Sequence, residues 1–94
     1  MNINNLNNII ERHGFILVQD VGCFHAFKPE DIDQYKVKDG ASPVCSFSAF
    51  ELAHIPSQEA DDFIERCKHV PNKNKYDTSQ KYIIPSKMGK ENYI

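Results

Sequence analysis

The residues of this sequence best equipped for chemistry are its thiols and imidazoles. Two Cys-x-His pairs stand out, Cys23/His25 and Cys67/His69, with Cys45, His13 and His54 placed singly. On a strand, alternate side chains share a face, so Cys23 and His25 could hold one ion together. On a helix, Cys67 and His69 diverge by about 200°, which sets them on different faces. Structural zinc sites usually repeat a close Cys-x2–4-Cys or His-x3–5-His pair, and neither spacing occurs here. The expectation is therefore no metal and no cofactor, with the three cysteines serving as small apolar residues of the core.

Nucleophilic catalysis is not signalled either. A reactive thiol needs a setting that stabilises the thiolate, and none of the three cysteines lies in a glycine-bracketed turn. Asp61 and Asp62 are adjacent on a predicted helix and point apart, unlike a working pair of carboxylates. The four glycines fall at positions 14, 22, 40 and 89, so no glycine-rich phosphate loop can form. No catalytic residue is assigned on these grounds.

The elements that must position these groups follow from apolar spacing. Ile3, Leu6, Ile9, Ile10 and His13 recur at helical steps; Asn2 or Asn4 can cap the start, and Gly14 can close the end. The run 15–18 and the segment 23–27 read as two strands of a hairpin across the turn residues 19–22. Glu30, Asp31, Ile32 and Asp33 read as a polar connection, and residues 35–38 alternate like a strand with one wet face. A strand from Val44 to about Phe47 leads into a short helical turn capped by Ser48 and Glu51. A second long helix begins at Ser57, read as its cap, buries Ala60, Phe63, Ile64 and Cys67, and stops before Pro71. Residues 82–84 form an apolar island that suits an edge strand or a strip docked on the body, with the last eight residues loose.

The fold class expected is α+β: a small antiparallel sheet of three to four strands with helices packed on one face, in the order α-β-β-β-(α)-α-(β). Ninety-four residues, 40% of them apolar and ten of them aromatic, suffice for one core and no deep enclosed pocket. We divide the chain into a compact domain, 1–71, and a lysine-rich extension, 72–94. No run reaches the roughly 18–20 apolar residues of a membrane span. An odd number of cysteines and a start without the basic and apolar regions of a secretory signal point to reduced thiols in a cytoplasmic protein.

Net charge of −2 conceals a division. Residues 1–67 carry eleven acids against five bases, a balance of −6, and residues 68–94 carry six lysines against two acids, a balance of +4. Two acidic clusters, Glu30/Asp31/Asp33 and Glu59/Asp61/Asp62/Glu65, are candidate contacts for a basic surface on a protein partner, such as a protein that binds nucleic acid. Lysines interleaved with Tyr76, Tyr82 and Tyr93 offer a sparser patch for nucleic acid, and a solvated tail accounts for it more simply.

Two resemblances bear on function. The opening Met-Asn-Ile-Asn and the order of elements resemble small phage-borne anti-CRISPR inhibitors. That likeness implies a non-enzymatic binding protein from a phage or mobile element that masks a partner's functional surface; a toxin-immunity protein is the other role expected of such a binding protein. The stretch from the first helix through Gly14-Phe15, Gly22, His25, Phe27 and Pro29 is similar to HicA-type messenger-RNA interferases. Those toxins are double-stranded-RNA-binding-like domains with a catalytic histidine on the second strand, in a Gly-Ser-His sequence. Here the text is Gly22-Cys23-Phe24-His25, so the matching role would fall to His25, one position later and on the other side of its strand.

Overall fold

The computed structural model describes residues 1–85 of the 94, and the expectation of a loose final eight lies outside them. Helix α1, Ile3–Arg12, starts where the Asn2 side chain accepts from the Asn5 backbone N–H at 2.8 Å. It ends at Gly14, whose φ of 83° is the left-handed conformation common at helix ends. That turn lets Phe15 N–H return to Ile10 C=O and Gly14 N–H to Glu11 C=O. Leu6, Ile9 and Ile10 form the buried stripe of the helix.

Strands β1, Ile16–Asp20, and β2, Cys23–Phe27, make the expected hairpin, pairing Ile16 with Phe27 through Asp20 with Cys23. Gly22, at φ 76°, occupies the turn position that needs a left-handed backbone. The next residues depart from expectation. Pro29–Asp31 is a single 3-10 turn, and strands β3, Ile32–Asp33, and β4, Lys36–Val37, pair only with each other. Gln34 between them takes φ 58°, a conformation normally left to glycine or asparagine. The alternation at 35–38 therefore marks a separate ribbon rather than the third strand of the sheet.

That third strand is β5, Cys45–Ser48, antiparallel to β2. Ser48 then caps helix α2, Ala49–His54, by the anticipated reciprocal pair. Its Oγ accepts from Glu51 N–H at 3.0 Å, and Glu51 Oε1 accepts from Ser48 N–H at 3.2 Å. Helix α3, Ser57–Cys67, is capped by backbone at Pro56 rather than by Ser57. The Ser57 hydroxyl faces the Met1 sulfur instead, at 3.7 Å. Strand β6, Tyr82–Ile83, adds to the edge of β1, giving the order β5-β2-β1-β6.

The expected α+β class holds, with the long helices on one face of a four-stranded antiparallel sheet. Strand alternation divides the core in two. Leu17, Phe24, Ala26, Cys45 and Phe47 face α1, α2 and α3, where Leu6, Ile10, Leu52, Ala60 and Ile64 meet them. Val18 and Phe27 face the other way, into Ile32, Val37, Ala41 and Ile84. Residues 72–85 also lie against this second face: Tyr76 N–H donates to Ala41 C=O, and the Tyr82 hydroxyl accepts from Val37 N–H at 2.7 Å. Among the described residues no helix is long and apolar enough to cross a membrane.

Candidate functional site

On the second face, the register of three strands gathers polar groups that are distant in sequence. Asp20 sits opposite Cys23, and His25 lies between Val18 on one neighbour and Ser46 on the other. Asp20, Cys23, His25 and Ser46 therefore project from the same side, away from the helices. Phe24 projects the opposite way and is buried beneath them. Their side chains connect. His25 Nδ1 is 2.6 Å from Ser46 Oγ, and His25 Nε2 is 3.2 Å from Asp20 Oδ2. Tyr76 donates its hydroxyl to the same Asp20 oxygen at 2.8 Å.

Only 12% of the His25 side chain and 14% of the Asp20 side chain are exposed. Their hydrogen bonds therefore substitute for water that the groups have largely lost. Aromatic edges complete the enclosure. Tyr76 packs edge-on against His25 at 5.0 Å and Phe27 at 5.4 Å between ring centroids, with Tyr82 at 5.9 Å, the tilted geometry that ring quadrupoles favour. Burial first, and then the bond to Asp20, push the Tyr76 hydroxyl well above its ordinary pKa, so it stays a proton donor. A groove of about 730 Å³ opens over the cluster, with Lys73, Lys75 and Asn72 among its lining residues.

This arrangement has two chemical capacities, set by which imidazole nitrogen carries the proton. With the proton on Nε2, directed at Asp20, Nδ1 is a base aimed at the Ser46 hydroxyl. With the proton on Nδ1, donated to Ser46, Nε2 is left with a free lone pair on the Asp20 side of the ring. One donor atom from each of Asp20, Cys23 and His25 lies within 4.8 Å of the others. Sequence spacing places Cys23 and His25 on one face but misses Asp20, Ser46 and Tyr76. A two-residue hairpin turn would have implied Asp20, because it sets that residue directly across from Cys23.

The acidic candidates separate into two layers. Glu30, Asp31 and Asp33 belong to the 3-10 turn and ribbon that cover the second face. Glu59, Asp61, Asp62 and Glu65 lie on α3, on the helical face. Two of these four have structural roles. Asp61 pairs with Nε2 of His13, the residue that ends α1, and Glu65 lies 3.4 Å from His13 Nδ1 and 3.0 Å from Lys68 Nζ. The Lys68 bond, and after it the Lys68 charge, hold the Glu65 carboxyl below the ordinary carboxylate range. Asp62 accepts from Gln58 at 3.0 Å.

Glu59 and Asp62 also rim a groove of about 360 Å³ between α2 and α3, together with Glu51, which the sequence marks only as a capping residue. Phe47, Ile55 and Phe63 line the same groove, and Arg66 is its single cation. Three carboxylates against one guanidinium leave it negative.

The remaining thiols meet each other on the helical side, and the remaining imidazoles lie apart from His25. Cys67, the last residue of α3, packs against the helical core, and His69, in the turn beyond the helix, stays solvent-exposed beside Glu65. Cys45 is buried, and desolvation followed by the neighbouring Cys67 thiol pushes its pKa up to about 12. His54 lies against the exposed ring of Phe50. Tyr76 and Tyr82 turn inward onto the sheet, and Tyr93 lies outside the described residues. The architecture defines an α+β domain with an organised polar cluster on one sheet face and an acid-rimmed groove between helices on the other. Comparison with protein-family models, with curated proteins and with solved structures gives no match.

Proposed function

We propose that this chain is a small non-enzymatic binding protein of the cytosol that inhibits a macromolecular partner by covering its basic functional surface. One observation carries the reading: the groove between α2 and α3 sets Glu51, Glu59 and Asp62 around Phe47, Ile55 and Phe63. A lysine or arginine fits such a groove in both its parts, the stem on apolar side chains and the charged end at the carboxylates. Nucleic acid would be repelled by it. The partner is therefore a protein whose exposed cations normally hold a polyanion. Glu30, Asp31 and Asp33 lie on the opposite layer and would meet a separate part of that partner. Inhibition of this kind suits a phage or mobile-element product acting in the anti-CRISPR manner, or a toxin-immunity protein.

The test uses Glu59→Lys/Asp62→Lys, because reversing Asp61 or Glu65 would also disturb the contacts with His13. Affinity capture from the native host should retain a protein on the wild type, release it with salt, and fail to retain it on the double variant. Equal capture by both would overturn the reading.

The Asp20–His25–Ser46 chain favours a second reading, a HicA-like ribonuclease toxin with His25 as its base. In that case purified protein cleaves RNA and His25→Ala does not, with circular dichroism unchanged. Absence of cleavage by the wild type removes this alternative.

A further inference from the structure

We propose that Asp20, Cys23 and His25 form a three-ligand site for a zinc-class divalent ion, with its fourth coordination position open to the groove above the sheet. The proposal is independent of the binding role assigned to the α2–α3 groove. It rests on the juxtaposition of one carboxylate, one thiol and one imidazole at the β1–β2 turn, with donor atoms mutually within 4.8 Å.

Distances favour it. Ligands about 2.0–2.3 Å from a tetrahedral zinc lie roughly 3.3–3.7 Å from one another. His25 Nε2 and Asp20 Oδ2 already stand 3.2 Å apart, and the Cys23 sulfur, within 4.8 Å of both residues' donor atoms, completes the set as its side chain turns toward the ion. The backbone beneath is fixed by pairing: Asp20 and Cys23 are direct cross-strand partners, and His25 follows Cys23 on the same face.

The groups behind the ligands match what such a site needs. A metal-bound histidine ordinarily donates its other ring N–H to a fixed acceptor, which orients the ring and directs the free lone pair at the ion. Ser46 Oγ is placed for that role at 2.6 Å from His25 Nδ1. A ligating carboxylate is likewise held by a donor, and Tyr76 supplies one at 2.8 Å. Both partners come from outside the hairpin, one from β5 and one from the segment that crosses the sheet face.

Donor chemistry sets the ion. Mixed nitrogen, sulfur and oxygen ligands select zinc or cobalt(II), whereas magnesium and calcium take oxygen alone. Coordination converts the Cys23 thiol to a metal thiolate and releases its proton to solvent. The two anionic ligands then balance the ion's charge, and three protein ligands leave the fourth position for water or a small ligand.

Cobalt(II) is the probe, added to the full chain after chelator treatment under reducing conditions. The wild type should show a thiolate-to-cobalt charge-transfer band and tetrahedral d–d absorption that saturate at one equivalent, and zinc should displace both. Cys23→Ser should abolish the charge-transfer band, while Cys67→Ser should keep it. Ser46→Ala should weaken binding by about 10–100-fold, the effect typical of losing a group that orients a ligand. Circular dichroism on each variant establishes that it is folded. A wild type without the band, or a folded Cys23→Ser that retains it, overturns the proposal. Cys23→Ser also separates this site from a His25 base, which has no need of the thiol.

Discussion

Removing the Tyr76 hydroxyl tests whether the segment after α3 completes the sheet face or merely lies near it. Tyr76→Phe leaves the ring in place against His25, Phe27 and Tyr82 but deletes the donor to Asp20. A hydrogen bond to a charged group contributes roughly 1.5–3 kcal/mol. Asp20 keeps His25 as a partner and some contact with solvent. The expected loss therefore falls at the lower end, about 1–2 kcal/mol. Tyr76→Ala removes the ring as well and should cost about 3–4 kcal/mol, near the values for other truncated aromatics. Urea unfolding followed by circular dichroism reads both. With a slope of about 1 kcal/mol per molar, the midpoint should fall by about 1–2 M for Tyr76→Phe and further for Tyr76→Ala. Combined with Asp20→Ala, which removes the acceptor, Tyr76→Phe should be clearly non-additive, because the two changes break one bond. A Tyr76→Ala protein as stable as the wild type would show that residues 72–85 do not hold this face.

Two further predictions concern titration and reactivity. Cys45 should be the last thiol to react with a disulfide reagent near pH 8, since its thiolate is suppressed to a pKa of about 12 and the residue is buried. Half-buried Cys23 should react ahead of it, and three equal rates in native buffer would refute this. Glu65 should titrate below its ordinary value of 4.5, because Lys68 stabilises the carboxylate. A depressed folded pKa means the contribution to stability is present above the unfolded pKa and is lost as pH falls through the folded one. Lys68→Ala should move the Glu65 midpoint upward in an NMR titration, and an unmoved midpoint would show that the pair does not persist in solution.

Much of the fold is legible in the sequence because it depends on local signals. The stripe Leu6, Ile9, Ile10 needs only helical spacing, and Ser48 with Glu51 is a short motif whose chemistry is self-contained. Residues 32–37 escape such reading because two-residue strands carry too little alternation to reveal their partner, and the turn at Gln34 lacks the expected glycine. Ser57 suits a cap by residue type, but the chain enters α3 one residue earlier.

The site is legible only in part, for a related reason. His25 and Cys23 share a strand, so their common face follows from alternation. Ser46 reaches His25 through the β2–β5 register, and Tyr76 reaches Asp20 through tertiary packing across 56 residues of sequence. Neither relation leaves a local trace. The acidic residues show the converse: composition finds them, but only the packing of α1 on α3 assigns Asp61 to His13 and leaves Glu59 and Asp62 at the rim of the groove.

The central claim is that the negative groove between α2 and α3 engages a basic partner, and the salt dependence of binding addresses it most directly. With the captured partner, affinity for the wild type should fall steeply as salt rises, as expected for contacts between charges near the surface. Glu59→Lys/Asp62→Lys should bind far more weakly at low salt and lose most of that dependence. Wild-type affinity unaffected by salt, or a double variant that binds as tightly as the wild type, would contradict the account.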